Sequence, residues 1–454
     1  MSCAPQFFLI FAIASGIVVH AFASSPDPSS PPVDSRPRVI VTTDGEVDDR
    51  CSMVRFLLYA NEWDILGLIH SSSVHHWQGD QNHKAHSWQG TAWLDKQLDH
   101  YGQVYPSLKQ HDVRYPSPEH LRKQVFVGNV AYAGDMSHPT PGSARIVEVL
   151  LADDPRPVWL QAWGGANTIA QALKTIKDEH PDRVEEVCSK AVAYLIDFQD
   201  DTYQKYIAPH WPGLRVIANL EQFCAIAYGW RNAIPQRLHA YFGAEWMRRH
   251  ILRRHGPLCG EYEAHRGAFR SEGDSPAFMH LIDVGLDNAD NPLFGGWGGR
   301  FVQDPRRPSL WIDAKDDGNP SKPIWRWAGA FQNDWAARAD WCVSPPAQAN
   351  HPPKVGLAHE ARIHALPGKV VKLDASVTVD PDGDELAWSW WHYAAPSTYG
   401  SPVNIESSDR SQARVQVPED FQPGQTIHVI CEVTDNGEPA LTRYRRVIII
   451  CPDG

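Results

Sequence analysis

Residues 38–56, RVIVTTDGEVDDRCSMVRF, join a run of β-branched residues to a stretch with apolar residues at helical spacing. This pattern predicts a buried strand that ends at Thr43 and a helix that begins a few residues later. Four acidic residues lie where the strand gives way to the helix: Asp44, Glu46, Asp48 and Asp49. Such a concentration of negative charge either caps the helix or holds a cation.

Helix capping accounts for only part of this acidic cluster. Asp48 is well placed as the N-cap and Asp49 as a first-turn residue, where a carboxylate satisfies free N–H groups and complements the helix dipole. Asp44 and Glu46 precede the cap, so capping does not explain them. Converging carboxylates repel each other unless a cation lies among them, and a hard divalent ion, calcium before magnesium, prefers such oxygen ligands. Spacing alone leaves both interpretations open.

The alternation of strands and helices continues from residue 38 to about residue 342. Apolar runs such as DILGLIHSSS, RPVWLQAWGG and KAVAYLIDF alternate with amphipathic stretches such as ANTIAQALKTIKDEHP. This order predicts an α/β domain at residues 37–342, with a Rossmann-like, mostly parallel sheet and helices on both faces. Ligands of such sheets bind at the carboxyl ends of the strands, which is where the acidic cluster lies.

The pattern changes after a Pro-rich stretch at residues 343–353, which we interpret as a linker. Residues 354–454 contain alternating strands joined by turn signals such as DPDGD and DNGEP. About a hundred residues of this kind are typical of a small β-sandwich, and we expect an immunoglobulin-like one.

The N-terminus has the composition of a targeting segment. An apolar core, FFLIFAIASGIVV, is followed by the cleavage pattern AFA at residues 21–23, so residues 1–23 are predicted to be a signal peptide and residues 24–36 a disordered leader. We therefore expect a secreted protein, extracellular or periplasmic, without a membrane span. The formal net charge of −12 argues against a nucleic-acid polymer as partner, because phosphate binding needs a basic surface.

Three motifs together resemble the nucleoside hydrolases. TTDGEVDDR is similar to their N-terminal signature Asp-x-Asp-Pro-Gly-x-Asp-Asp, and WGGANTIA (163–170) is similar to their TGPLTNIA segment. GDSPAF (273–278) lies where that family has a His-Asp-Pro motif. The resemblance covers about residues 38–342. With the β-sandwich added, the chain resembles a secreted nucleoside-hydrolase-like family, some members of which are described as cellulose-binding proteins.

The resemblance implies a calcium site and glycosidic chemistry. The family's calcium ligands fall on Asp44, Asp49, the main-chain carbonyl of Trp163 and Asp274. Its general base falls on Asp44, and Asp48 matches an aspartate that contacts sugar hydroxyls. In that chemistry the ion lowers the pKa of a water, Asp44 takes its proton, and the water attacks the anomeric carbon with inversion.

The chain departs from the family signature at three places. Thr42 stands where the family has its first aspartate, and Gly45-Glu46 replaces Pro-Gly. Gly273 replaces a histidine that some members use to assist the leaving base. The missing histidine argues against departure of a nucleobase, so a furanoside or another small glycoside is the expected substrate.

The remaining candidates follow predicted strands or precede the last predicted ligand. HSSSVHHWQGDQNHKAHSW (70–88) follows the second strand, and DFQDD (197–201) follows a later one. The candidates for substrate contacts are His75, Trp77, Asp200, Asp201 and Glu272. His76 is a candidate catalytic residue because an imidazole can protonate a glycosidic oxygen, with His75 as the alternative. A His-rich surface loop and helix capping by Asp201 are the simpler interpretations of the two segments.

Two functions fit these observations. The first is an exported calcium-dependent glycoside hydrolase of nucleoside-hydrolase type. The second is a protein that binds carbohydrate, such as cellulose, with a degenerate pocket that keeps the metal but not the chemistry. The departures from the signature and the 18 tryptophans favour the second function. A spacing or adhesion role of the sandwich is a third interpretation.

Overall fold

An eight-stranded sheet forms the centre of the N-terminal domain in the computed structural model, which describes residues 35–453. Its strands are β1 (Arg38–Thr43), β2 (Asp64–His70), β3 (Val125–Val127), β4 (Val158–Ala162), β5 (Ala191–Ile196), β6 (Arg215–Asn219), β7 (Phe301–Asp304) and β8 (Arg307–Asp313). They lie in the order β3-β2-β1-β4-β5-β6-β8-β7, and only the edge pair β8–β7 is antiparallel. The predicted mostly parallel sheet is confirmed.

Helices cover both faces of this sheet. They are α1 (Val47–Leu58), α2 (Ala92–His111), α3 (Pro118–Arg122), α4 (Pro141–Leu151), α5 (Asn167–Glu179), α6 (Val184–Lys190), α7 (Ala208–His210), α8 (Trp230–Ala233), α9 (Ala244–Met247), α10 (Gly256–Gly260), α11 (Ser275–Met279), α12 (Lys322–Trp325) and α13 (Ala328–Trp341). Val39 and Val41 of β1 pack in one hydrophobic cluster with Phe56 of α1. Ile40 points to the opposite face, where it packs in a second cluster with Ile146 of α4.

The strand order reverses between β1 and β4. From β1 the chain builds outward through β2 and β3 on one side, and from β4 through β5 and β6 on the other. Open α/β sheets bind their ligands in the crevice outside the carboxyl ends of the strands at such a reversal. Here the residue after β1 is Asp44 and the residue after β4 is Trp163, so the acidic cluster lies at this crevice.

The C-terminal residues form a β-sandwich. Its strands are β9 (Arg362–His364), β10 (Val370–Asp374), β11 (Leu386–His392), β12 (Ile405–Glu406), β13 (Gln412–Gln416), β14 (Thr426–Asp435) and β15 (Thr442–Ile450). One sheet has the order β10-β13-β12 and the other β11-β14-β15-β9. Their inner faces share one hydrophobic cluster that includes Leu373, Val415 and Val429. The pairs are antiparallel except β15–β9, which is parallel.

The two domains pack through buried side chains. Tyr393, Ile430 and Tyr444 of the sandwich belong to a hydrophobic cluster of the N-terminal domain. Arg446, 1% exposed, donates to the carbonyls of Leu286 at 2.8 Å, Phe294 at 2.9 Å and Gly295 at 3.2 Å. The sandwich is therefore fixed to the first domain by apolar packing and by a buried cation.

The predicted linker and leader contain little regular structure that can be described. Residues 343–353 carry one short 3-10 helix, Pro346–Gln348, between α13 and β9. The predicted signal peptide, residues 1–23, and most of the predicted leader, 24–36, lie outside the described residues. Among residues 35–453, no helix is both long and apolar enough to cross a bilayer.

Arg446→Ala should destabilise the protein by about 3 kcal/mol, because it leaves several buried carbonyls without a charged donor and opens a cavity. The measurement is denaturant unfolding followed by tryptophan fluorescence. The control is Arg249→Ala, which removes an exposed pair with Glu438 across the same two domains and should cost no more than about 0.5 kcal/mol. Equal effects of the two substitutions would contradict a buried anchor.

Candidate functional site

The acidic loop connects β1 to α1 at the crevice. Helix α1 begins at Val47, and its N-cap residue is Glu46, whose side chain makes no capping hydrogen bond. Asp48 and Asp49 both lie in the first turn. The prediction of Asp48 as the N-cap is wrong, because the helix starts two residues earlier than expected. Side-chain capping of α1 therefore does not explain the carboxylates of this loop.

Buried carboxylates from distant parts of the chain converge at this loop. Asp48, Asp49 and Asp274 place oxygens within 4.8 Å of one another. Thr43 donates a hydrogen bond to Asp49. Asp274, 2% exposed, makes no capping bond to the helix α11 that it precedes, and its Oδ2 has no donor among the described residues. Asp44 is equally buried, and its Oδ2 also lacks a donor there.

Burial and mutual repulsion disfavour ionisation of most of this cluster. Burial, followed by the neighbouring carboxylates, raises the pKa of Asp49 and of Asp274 well above the ordinary value. The same causes raise the pKa of Asp48 to about 7. For Asp44, burial also opposes ionisation, but the adjacent His76 contributes to holding its pKa below the ordinary value. A cation among these oxygens would relieve the repulsion, so the cluster could hold a metal ion.

A main-chain carbonyl completes the oxygen set. Trp163 follows β4 directly, and its carbonyl accepts a 2.7 Å hydrogen bond from the amide of Gln199. A carbonyl oxygen has two lone pairs, so a second one stays available to a cation. The indole of Trp163 packs against Phe56 of α1, with ring centroids 5.8 Å apart. That contact fixes the direction of the peptide group.

The cluster forms the floor of a small cleft with a volume of about 260 Å³. The cleft is lined by Glu46, Asp48, Asp49, His75, Trp163, Ile196, Asp197, Gln199, Phe223, Ala227, Tyr228 and Asp274. Its size is just below the range of roughly 300–1,000 Å³ that is common for drug-sized ligands. The cleft therefore suits a ligand about as large as one sugar ring, with acidic and amide groups for its hydroxyls.

Comparison with known protein families identifies both domains. A family model described as "Cellulose-binding Sde182, nucleoside hydrolase-like domain" matches residues 38–301. A second model, "Cellulose-binding protein Sde0182, C-terminal domain", matches residues 370–451. The chain belongs to the Sde182 nucleoside-hydrolase-like family. The resemblance inferred from the three motifs is confirmed.

Among the similar solved structures, one supports this assignment. A nucleoside hydrolase-related hypothetical protein from Saccharophagus degradans, associated with carbohydrate metabolism, is 32% identical, with a TM-score of 0.77, over 92% of this chain and 100% of that chain. The type III effector XopQ, complexed with adenosine diphosphate ribose, is 10% identical over 68% of this chain and 95% of that chain, with a TM-score of 0.34. The search of curated proteins gave no significant match.

The His-rich segment divides between the cleft and the surface. His75 is exposed and lines the cleft. His76 lies beside the acidic loop, with its Nδ1 3.7 Å from Asp44 Oδ2. Trp77 is not in the cleft lining, and its ring stacks on that of His86, with centroids 4.4 Å apart. The roles of His75 and His76 stay predictions, and the structure gives Trp77 a place in the loop's own packing.

Three acidic candidates have structural partners outside the cleft. Asp200, 7% exposed, accepts from the backbone N–H of Asn167 at 3.0 Å and so holds the first residue of α5. Asp201 is exposed and pairs with Lys205. Glu272 is fully buried and forms two hydrogen bonds with Arg55. None of the three lines the cleft among the described residues, so the structure does not support a substrate contact for them.

Several cleft residues were not predicted from the sequence. Asp197 and Gln199 line the cleft in place of Asp200 and Asp201, and their position directly after β5 was the signal that could have identified them. Tyr228 is 49% exposed, and its hydroxyl donates to Glu46 at 2.8 Å. Tyr228 lies in an irregular segment before α8, where no periodic pattern indicates which side chains face a site.

Gly273, where some family members have a histidine, lies close to the carboxylate of Asp48. A Cβ on Gly273 would lie 2.8 Å from Oδ2 of Asp48 and 3.5 Å from the ring of Phe223. A side chain at this position would therefore require the carboxylate of Asp48 to move. The loss of the histidine and the position of Asp48 are linked by the same space.

Asp274→Asn should raise the melting temperature in the presence of a chelator, because it removes one acid from a cluster of mutually repelling carboxylates. Each kcal/mol gained corresponds to about 2–4 °C in a domain of this size. Addition of a divalent cation should then stabilise the wild type more than the variant. The control is Asp178→Asn, which changes only an exposed pair with Lys174. A lower melting temperature of Asp274→Asn in chelator would contradict uncompensated repulsion.

Proposed function

We propose that the chain is an exported calcium-dependent glycoside hydrolase of nucleoside-hydrolase type that acts on a furanoside or another small glycoside. The observation that carries this proposal is a pair of buried carboxylate oxygens without hydrogen-bond donors among the described residues, Oδ2 of Asp44 and Oδ2 of Asp274, at the strand-order reversal. Structural carboxylates of this burial are normally paired or hydrogen-bonded. Oxygens held without such partners in a ligand crevice favour a bound cation and chemistry beside it.

Calcium is the ion that this donor set favours. The ligands would be carboxylate oxygens of Asp44, Asp49 and Asp274, together with the main-chain carbonyl of Trp163. All are hard oxygen donors, and the number of protein oxygens suits calcium better than magnesium, which prefers to keep several waters. When bound, the ion would supply a lowered pKa for a bound water and a positive charge for vicinal sugar hydroxyls.

Separate side chains around the ion would act as general base, bind the sugar hydroxyls and donate a proton. Asp44 is the proposed general base, since a carboxylate of low pKa is ionised and Oδ2 has no competing donor. Asp48, Tyr228 and Gln199 line the cleft and would bind the sugar hydroxyls. A new bond forms from water to the anomeric carbon while the glycosidic bond breaks, with inversion at that carbon. His75 is the proposed proton donor to the leaving group, because it is exposed at the cleft.

Asp44→Asn should lower kcat by about 10²–10⁴-fold on a panel of nucleosides and aryl furanosides assayed in calcium, because the amide cannot accept the proton. Asp178→Asn, on the exposed face of α5, is the control and should leave turnover unchanged. Chelation should abolish the wild-type rate, and added calcium should restore it. Absence of turnover on every substrate, or turnover that Asp44→Asn does not affect, would rule out the hydrolase.

A carbohydrate-binding protein with a non-catalytic pocket is the second candidate. The match of both domains to a family described as cellulose-binding supports it, as do the departures at Thr42, Glu46 and Gly273. In this proposal the same oxygens hold a cation and sugar hydroxyls, and no bond is broken.

Binding to insoluble cellulose should distinguish this second candidate. The full chain is mixed with cellulose, and the protein left in solution is measured with and without a chelator. Depletion of the protein without turnover on any glycoside supports a binding protein. Failure to bind cellulose, or any other plant glycan tested in parallel, contradicts it.

We also propose that the protein is exported. The apolar segment and the AFA pattern at residues 21–23 support this location.

A further inference from the structure

A second group of potential metal ligands lies next to the oxygen cluster. Asp44, Glu46 and His76 each direct one donor atom toward the others, and these atoms lie within 4.8 Å of one another. His76 Nδ1 is 3.7 Å from Asp44 Oδ2 and 3.7 Å from Glu46 Oε2. Both separations exceed the length of an N–H···O hydrogen bond. The imidazole nitrogen therefore faces two carboxylates without being bonded to either.

Two of these three donor atoms are buried and make no hydrogen bond, although they lie within ion-pairing distance of each other. His76 Nδ1 and Asp44 Oδ2 have no hydrogen-bond partner among the described residues. The Asp44 side chain is 1% exposed and that of His76 is 12% exposed, so water does not readily compensate them. A buried polar atom without a partner carries a desolvation cost of about 1–3 kcal/mol. These two atoms and Oε2 of Glu46 lie around one common space, which is the arrangement of ligands around a cation.

The rest of each side chain is held in place elsewhere. Oδ1 of Asp44 accepts from the backbone N–H of Glu46 at 3.1 Å. Oε1 of Glu46 accepts from the Tyr228 hydroxyl at 2.8 Å, which leaves Oε2 for His76. The backbone of His76 exchanges hydrogen bonds with Ser73, whose N–H donates to the His76 carbonyl at 3.0 Å. Outer contacts of this kind orient metal ligands in advance.

We propose that Asp44 Oδ2, Glu46 Oε2 and His76 Nδ1 form a second cation site, which takes a transition metal such as Zn²⁺. Ligands 2.0–2.1 Å from a tetrahedral ion are about 3.3 Å apart, so the two 3.7 Å separations need to shorten by only a few tenths of an ångström. Mixed nitrogen and oxygen donors select Zn²⁺ or a similar ion, whereas the neighbouring all-oxygen cluster selects a hard ion. A water at the fourth position would complete the tetrahedron.

The second site depends on Glu46, which the nucleoside-hydrolase signature lacks. Glu46 stands where the nucleoside-hydrolase signature has glycine. Gly45 before it adopts φ +76°, and a Cβ there would lie 2.8 Å from Nε1 of Trp93. The turn at Gly45 places the Glu46 carboxylate close to His76 Nδ1 and to the Tyr228 hydroxyl.

The second site goes beyond the proposed function and does not require hydrolysis. It assigns His76 as a ligand instead of a proton donor. Because Asp44 Oδ2 cannot hold this ion and accept a proton at the same time, Zn²⁺ should inhibit turnover wherever turnover occurs.

The test measures metal binding by the full chain without substrate. The protein is saturated with Ca²⁺, then titrated with Co²⁺ as a spectroscopic probe and, separately, with Zn²⁺ in a calorimeter. We expect one site with the visible absorption of four-coordinate Co²⁺, which Zn²⁺ displaces. His76→Ala and Glu46→Gln should each weaken binding at least 10-fold, in line with loss of one ligand.

Two control variants separate this site from other metal binding. His83→Ala removes an exposed histidine of the same loop, which pairs with Asp80 and not with the acidic cluster, and it should retain the Co²⁺ signal. Asp274→Asn changes the oxygen cluster and should also retain it. Absence of the signal in the wild type, or an equal signal in His76→Ala and Glu46→Gln with unchanged melting temperatures, would overturn the inference. These outcomes are independent of any result on glycoside turnover.

Discussion

Repulsion among buried carboxylates at the reversal of strand order is the constraint on which the site depends. Asp49 and Asp274 are almost completely inaccessible to water, and burial raises the pKa of both. Burying a carboxylate without a partner is costly. Neutral residues at these positions would therefore make the fold more stable. The two residues lie at the carboxyl ends of parallel strands, where ligands of this architecture bind. Their position is consistent with a role in holding a cation, at a cost in stability.

The surrounding structure holds this unfavourable arrangement in place. Arg55 of α1 forms a buried pair with Glu272, with a shortest contact of 2.5 Å, and thereby fixes the segment that carries Asp274 to the helix that carries Asp49. Asp200 fixes the start of α5 and with it the turn after Trp163. Glu272 and Asp200 were predicted to contact substrate. The contacts that the structure shows for them position the elements that carry the candidate ligands.

The sequence predicted those features of the structure that depend on the spacing of residue types along the chain. Periodicity identified the strands and helices, and Asp44 could be located because it directly follows the first strand. Residue type indicates charge but not direction, so Asp200 was preferred to Asp197 although only Asp197 faces the cleft. Tyr228 had no periodic pattern around it. The shared core of the two domains, which includes Tyr444, depends on contacts between distant segments that no local pattern encodes.

The departures from the family signature change the polar groups around the cleft. At position 273 glycine offers no side chain that could reach a leaving group, and the Asp48 carboxylate lies in the space beside it. At position 46, Glu46 adds a carboxylate that Tyr228 holds by a hydrogen bond, and the half-exposed phenol ring lines the cleft. Departure of a nucleobase is assisted by a proton donor, whereas sugar hydroxyls are bound by acceptors and by a ring to pack on. The residues at positions 46 and 273 therefore support the proposal of a carbohydrate ligand more than that of a nucleoside, whether or not a bond is broken.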